Sequence, residues 1–173
     1  MYIFEKQTEC HLSDEQLKTH KDSFYTIFQK SLGDQDSKVK VAAQRALISF
    51  LLSIQDQAIL DQFKSLTQLV LDSTVEALKS DQQLGQQALE SIVNLSQTHP
   101  QFLKENISQL VKIISDIIKM KDFEEGTRSQ ATEVVLTLAE QVPATLRKEQ
   151  AIKTEFYPAL IQMLTECEED MDT

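Results

Sequence analysis

FEEGTRSQATEVVLTLAE, residues Phe123 to Glu140, is the stretch that decides the fold. Thr127, Ala131, Val135 and Leu138 recur in it at steps of three and four, which places them on one face of a helix. The same stripe occurs twice upstream. In DQQLGQQALESIVNLSQ it is Leu84, Ala88, Ile92 and Leu95; in DSKVKVAAQRALISFLL it is Val39, Ala43, Leu47 and Phe50. The three alanines Ala43, Ala88 and Ala131 are separated by 45 and 43 residues. An amphipathic helix returning at that period is the mark of an array of helix pairs.

Outward from these three helices, the chain divides into repeats. Repeat 1 spans about 14–54, repeat 2 about 57–97 and repeat 3 about 101–141; the first helix of a fourth follows at about 147–166, and an acidic tail closes the chain at 166–173. Within each pair the first (A) helices are expected at 14–32, 57–79, 101–121 and 147–166, with a break near Asp61 as an alternative that leaves 58–60 as a separate short turn, and the second (B) helices at 37–54, 82–97 and 123–141. Ser13, Asp56 and Ser80 or Asp81 are expected N-caps, and Gly33 an expected C-cap. Gly85 lies inside a helix, where it costs about 1 kcal/mol relative to Ala, and close packing between helices is the simplest reason for it. Pro158 predicts a kink or restart in the last helix. Short connections make the helices of each pair antiparallel. The expected architecture is all-α, a right-handed α-solenoid of three helix pairs plus one further helix.

Composition agrees with helix. Among 173 residues there are only 3 Gly and 3 Pro, so turn chemistry is sparse. No apolar run approaches the ~20 residues of a membrane span, and the first residues do not read as a signal peptide. A formal net charge of −10 disfavours nucleic acid and favours basic protein partners. Cys10 and Cys167 form no redox or metal motif, which is consistent with reduced thiols. Cys10, His11, His20 and His99 fall at no zinc spacing. The chain has neither a Gly-rich phosphate loop nor a nucleophile motif, so neither catalysis nor a cofactor is expected.

The period points to HEAT or armadillo repeats. Asp36, Val39, Lys40, Ala43 and Leu47 follow the HEAT-like pattern best; repeat 3 keeps Arg128, Ala131 and Val135 with Glu124 in place of the Asp, and repeat 2 keeps Asp81 and Ala88 with Gly85 in place of the basic residue. HPQFLK (99–104) aligns with VPATLR (142–147) at a shift of 43, carrying the repeat through the corner. FEEGTRSQATEVVLTLAEQVPATLRK (123–148) followed by FYPALIQMLTECEEDMD (156–172), with VAAQRALISFLL (41–52) and LDSTVEALKSD (71–81) fitting the preceding repeats, resembles the karyopherin-beta (importin-beta) family of nuclear transport receptors, most of all its importin-beta-three branch. Receptors of this family are several times longer than this chain.

The resemblance implies a non-catalytic module of a shuttling import receptor, moving between cytoplasm and nucleus. It implies basic cargo (ribosomal proteins, histones), Ran-GTP as the control and Phe-Gly nucleoporins as further partners. On a concave B-helix surface it implies Glu90, Asn94, Glu133 and Glu140 as cargo-facing candidates, with Arg45 breaking the acidic ladder at the equivalent position. It implies an acidic loop in Glu166, Glu168, Glu169, Asp170 and Asp172. Grooves between A helices are candidate Phe-Gly sites, with Phe63, Phe102 and Ile114 as possible lining residues, although core packing is the commoner role for such side chains. The alternative reading is a HEAT scaffold subunit of another multiprotein complex.

Overall fold

The computed structural model describes the backbone of residues 14–171 and the side chains of residues 16 and 18–166. The described residues form helices and turns without a strand. In chain order the α-helices are α1 (Asp14–Leu32), α2 (Ser37–Leu52), α3 (Gln57–Phe63), α4 (Thr67–Ser80), α5 (Gln82–Thr98), α6 (Pro100–Leu103), α7 (Ile107–Lys119), α8 (Glu125–Gln141), α9 (Pro143–Leu146) and α10 (Tyr157–Met171). Helix α1 packs on α2, α4 on α5 and α7 on α8, while α2, α5 and α8 pack side by side as one layer. The A helices form the other layer, in which α1 meets α4 and α7 meets α10. The result is an α-solenoid.

Local chemistry sets the ends of the B helices. The Asp36 carboxylate accepts from the Lys38 amide at 2.8 Å, and Asp81 accepts from Gln83 and Leu84 at 2.8 and 3.4 Å. Asp56 caps α3 through the Ala58 amide at 2.9 Å, and that bond holds the Asp56 carboxyl below its ordinary value. Ser13 lies outside the described residues. Gly33 follows the end of α1, but no glycine has a positive φ, so it does not form a left-handed cap. The two proline corners are conformational copies: His99 has φ −130° and ψ 59°, Val142 has φ −133° and ψ 53°, and each is followed by a four-residue helix with Pro at its start.

Three A segments are interrupted: 57–79 breaks a little after Asp61, 101–121 is broken although expected to be continuous, and 147–166 restarts beside Pro158, as that residue predicts. A 3₁₀ turn at Lys64–Leu66 separates α3 from α4, and another at Lys104–Asn106 separates α6 from α7. At the first break, the Ser65 and Thr67 hydroxyls donate to the Gln62 and Lys64 carbonyls, which draws those acceptors away from the helical ladder. Apolar residues before, within and after the turn are buried, Phe63, Leu66 and Val70 among them. Before α10, a π-helical turn occupies Ile152–Phe156. Pro158 has no N–H to donate four residues back, so the ladder widens just ahead of it. The acidic end, expected as a loose tail, continues as helix to Met171.

The core runs unbroken through the stack. At its start Phe28, Phe50 and Phe63 pack with ring centroids 5.3–6.3 Å apart. Polar side chains stitch the B layer. Gln44 is fully buried, and its Nε2 lies within reach of the Thr74 hydroxyl, the Ala88 carbonyl and the Ser91 hydroxyl at 3.0–3.1 Å. Glu124, at the N-cap of α8, makes no side-chain cap of its own. The previous repeat supplies one: Gln82 Oε1 accepts from the Glu124 amide at 2.9 Å, and Gln86 Nε2 donates to the Thr127 hydroxyl at 2.9 Å. These links account for part of the chain's glutamine richness.

The last repeat lacks a covering layer among the described residues. Ile48 and Val93 are buried between neighbouring B helices, but Leu136 at the equivalent position of α8 is 51% exposed. On α10, the apolar Tyr157, Ile161 and Leu164 are 53%, 62% and 55% exposed.

Candidate partner-binding faces

Two faces of the stack are candidates for partner binding. The first is the outer surface of the B layer. Its core stripe (Ala43, Ala88, Ala131 and the residues in phase with them) points inward, so positions two residues further on point away. Glu90 and Asn94 on α5 and Glu133 and Glu140 on α8 are all exposed. Glu90 and Asn94 come together with Arg45 in a cleft of about 120 Å³ between α2 and α5, backed by the apolar Ile48 and Leu52. Arg45 Nη1 donates to Gln87 Oε1 at 3.5 Å across that cleft. Glu133 and Glu140 stand one helix further along and do not line it.

The second face is a groove of about 180 Å³ between α4 and α7, where adjacent A helices splay. Val75, Leu78, Ile113, Ile117, Met120 and Phe123 make it largely apolar, with Lys79 and Asp116 at its edges. Met120 is 46% exposed there. Phe63, Phe102 and Ile114, the lining residues considered from the sequence, are instead buried in the core. Phe63 and Phe102 lie on α3 and α6, not on the helices that form the groove, and on α7 it is Ile113 and Ile117 rather than Ile114 that line it. The signal in the sequence was the unusual width of the stripe in 101–121, where Ile113 and Ile117 extend beyond what one partner helix can cover.

The proposed acidic loop divides. Glu166 is not a free acidic side chain: it accepts from Arg128 Nη2 at 2.7 Å and from Gln162 Nε2 at 3.0 Å, and it pairs with Lys121 at 3.2 Å. The Gln162 amide, then Arg128, then Lys121 lower its pKa to about 2. Arg128 Nε also donates to the Ile118 carbonyl at 2.8 Å, at the negative end of α7. Glu166 therefore fastens α10 to the third repeat. Glu168, Glu169 and Asp170 lie on α10 with side chains outside the described residues, as is Cys167; Asp172, Cys10 and His11 also lie outside them.

Among the described residues no group of His, Cys, Asp and Glu is placed to hold a metal ion, and no helix is long and apolar enough to cross a membrane. His99, the one described histidine with a buried ring nitrogen lacking a partner, sits at a corner beside Pro100.

The chain is similar to known proteins in sequence and in fold. A family model described as "IPO5-like, TPR repeats" matches residues 1–113, and one described as "Importin repeat" matches residues 120–173. The chain is 24% identical over 135 residues to a probable importin-5 homolog of Dictyostelium discoideum, covering 78% of this chain and 12% of that protein. It is also 24% identical over 158 residues to importin subunit beta-3 of Saccharomyces cerevisiae, covering 87% of this chain and 14% of the relative. The chain thus spans about an eighth of the length of these relatives. Two crystal structures of Kap121p share the fold, each with a TM-score of 0.80 over 94% of this chain and 16% of theirs, at 23% and 22% identity. One is of a triple acidic-to-lysine mutant; the other is of Kap121p bound to the extreme C-terminus of the protein phosphatase Cdc14p.

Proposed function

This chain belongs to the karyopherin-beta (importin-beta) family, and we propose that it is a segment of a nuclear import receptor that helps hold basic cargo on its B-helix face. The observation that carries the reading is the arrangement of Glu90, Glu133 and Glu140, exposed on successive stacked helices of a chain with net charge −10. Fixed negative charge spaced along a rigid layer steers a cationic segment and selects against an anionic one. Cargo of this chemistry includes ribosomal proteins and histone tails. Ran-GTP acts on the receptor as a whole: repeats touch only their neighbours, so the array flexes, and a ligand that prefers one curvature favours release. The receptor shuttles between cytoplasm and nucleus and performs no catalysis.

A second reading concerns the apolar groove between α4 and α7. It suits an aromatic side chain of a Phe-Gly nucleoporin, because the ring would cover Val75, Ile113 and Met120 and remove their apolar area from water.

The test is a salt-titrated pull-down of a basic ribosomal protein or histone tail by the full-length parent and by this chain, each with and without Ran-GTP. Capture by the parent that Ran-GTP abolishes, and that Glu133→Lys weakens, supports the reading. Capture indifferent to Ran-GTP refutes it and leaves a HEAT scaffold of another assembly.

A further inference from the structure

The B-helix face is graded in charge along the stack. With the repeat shifts of 45 and 43 residues, Arg45, Ser49 and Leu52 on α2 correspond to Glu90, Asn94 and Gln97 on α5 and to Glu133, Thr137 and Glu140 on α8. The formal charge of these three rows steps from +1 to −1 to −2. Every charged member is exposed. The helices that carry them are in direct contact, so the gradient lies on one continuous surface. Arg45 and Glu90 line the same cleft, whose apolar backing of Ile48 and Leu52 offers contact to a side-chain stem.

We infer that Arg45 is a specificity-determining residue of this face, which takes an extended bipolar peptide with its acidic end over α2 and its basic residues over α5 and α8. The inference rests on the cargo-binding reading above and deepens it: net positive charge alone would not define the ligand, since the order of charges along it matters as well. The spacing follows from geometry. Packed helices lie 8–10 Å apart, and an extended peptide rises about 3.3 Å per residue, so a ligand crossing the layer advances one helix in about three residues. The matching pattern is an acidic residue, then Lys or Arg three and six positions away. A cation over α2 meets Arg45 and is disfavoured, whereas an acid there is favoured.

The experiment compares two labelled peptides of identical composition and net charge on this 173-residue chain at constant ionic strength. One reads Asp-x-x-Lys-x-x-Lys and the other Lys-x-x-Asp-x-x-Lys, with neutral residues at x. The second has the same order in either chain direction across the face, so no reversal can place its acid over α2, and the comparison isolates the position of the acid. The expected result is two- to five-fold tighter binding of the peptide with the terminal acid, the range of an exposed charge pair. Arg45→Glu, which makes the first two rows alike in sign, erases that preference while leaving the thermal melt unchanged, and Arg45→Gln gives an intermediate preference. Equal binding of both peptides by the wild type, with Glu133→Lys weakening both, overturns the role of Arg45 and leaves cargo binding in place. Failure of both peptides to bind, with no effect of Glu133→Lys on cargo capture, overturns both.

Discussion

Gly85 and Gly126 are each in the first turn of a B helix, and replacing each with alanine should change stability in opposite directions. A Cβ built on Gly85 would lie 2.3 Å from Leu78 Cδ2, 2.6 Å from Leu78 Cγ and 2.9 Å from Leu78 Cα. A rotamer change moves Cδ2, but Cα belongs to the backbone of α4 and does not yield without shifting the helix. Leu78 is itself buried, which leaves its side chain little room. Alanine gains about 1 kcal/mol in helix propensity, while overpacking of this kind costs about 1–3 kcal/mol. The expected net effect of Gly85→Ala is a loss of up to about 2 kcal/mol, and Gly85→Val should lose more. A Cβ on Gly126 meets nothing within 4 Å. Gly126→Ala should therefore gain about 0.4–1 kcal/mol from the reduced freedom of the unfolded chain. Urea unfolding of both variants beside the wild type, followed by far-UV circular dichroism, reads the midpoints at unchanged slope. Hydrogen exchange across α4 and α5 localises the Gly85 effect. A Gly85→Ala protein as stable as Gly126→Ala would refute close packing as the reason for that glycine.

Other outcomes follow from the polar links. Gln44→Ala should lower stability by about 2–4 kcal/mol in thermal unfolding, because it removes a buried hydrogen-bonding side chain and leaves a cavity; Gln44→Leu should lose less, since the Ser91 and Thr74 hydroxyls keep their local bonds to the Ala88 and Val70 carbonyls. Gln82→Ala should cost about 1 kcal/mol, the worth of an N-cap, and hydrogen exchange should quicken at the start of α8 rather than along α5. For Glu166 the folded pKa lies below the ordinary value of 4.5, at about 2, so its contribution is complete above pH 4.5 and is lost as pH falls toward 2. The melting-temperature gap between wild type and Glu166→Gln should accordingly be widest above pH 4.5 and shrink through that window; a gap independent of pH would show that the carboxylate contributes no ion pairing.

The period of the apolar stripe, the Asp caps and the paired corners at His99–Pro100 and Val142–Pro143 were all legible in the sequence, because each depends on residues within a few positions of one another. So was the outward direction of Glu90, Asn94, Glu133 and Glu140, which helical phase alone determines once the core stripe is known. What required the tertiary structure involves residues about 40 positions apart. Glu166 reads as one acid in a run until Arg128 and Lys121 are brought against it from the previous repeat. Gln82 reads as surface until it binds the N-cap residue of a helix 42 positions later. Phe63 and Phe102 could face either the core or a groove, and the packed structure buries both in the core. Periodicity records which face of a helix is apolar; it carries no information on which neighbour covers that face, how far two helices splay, or which distant side chain completes an unmet hydrogen bond. Those are set by packing between repeats, where the free energy depends on atoms that the chain brings together only when it folds.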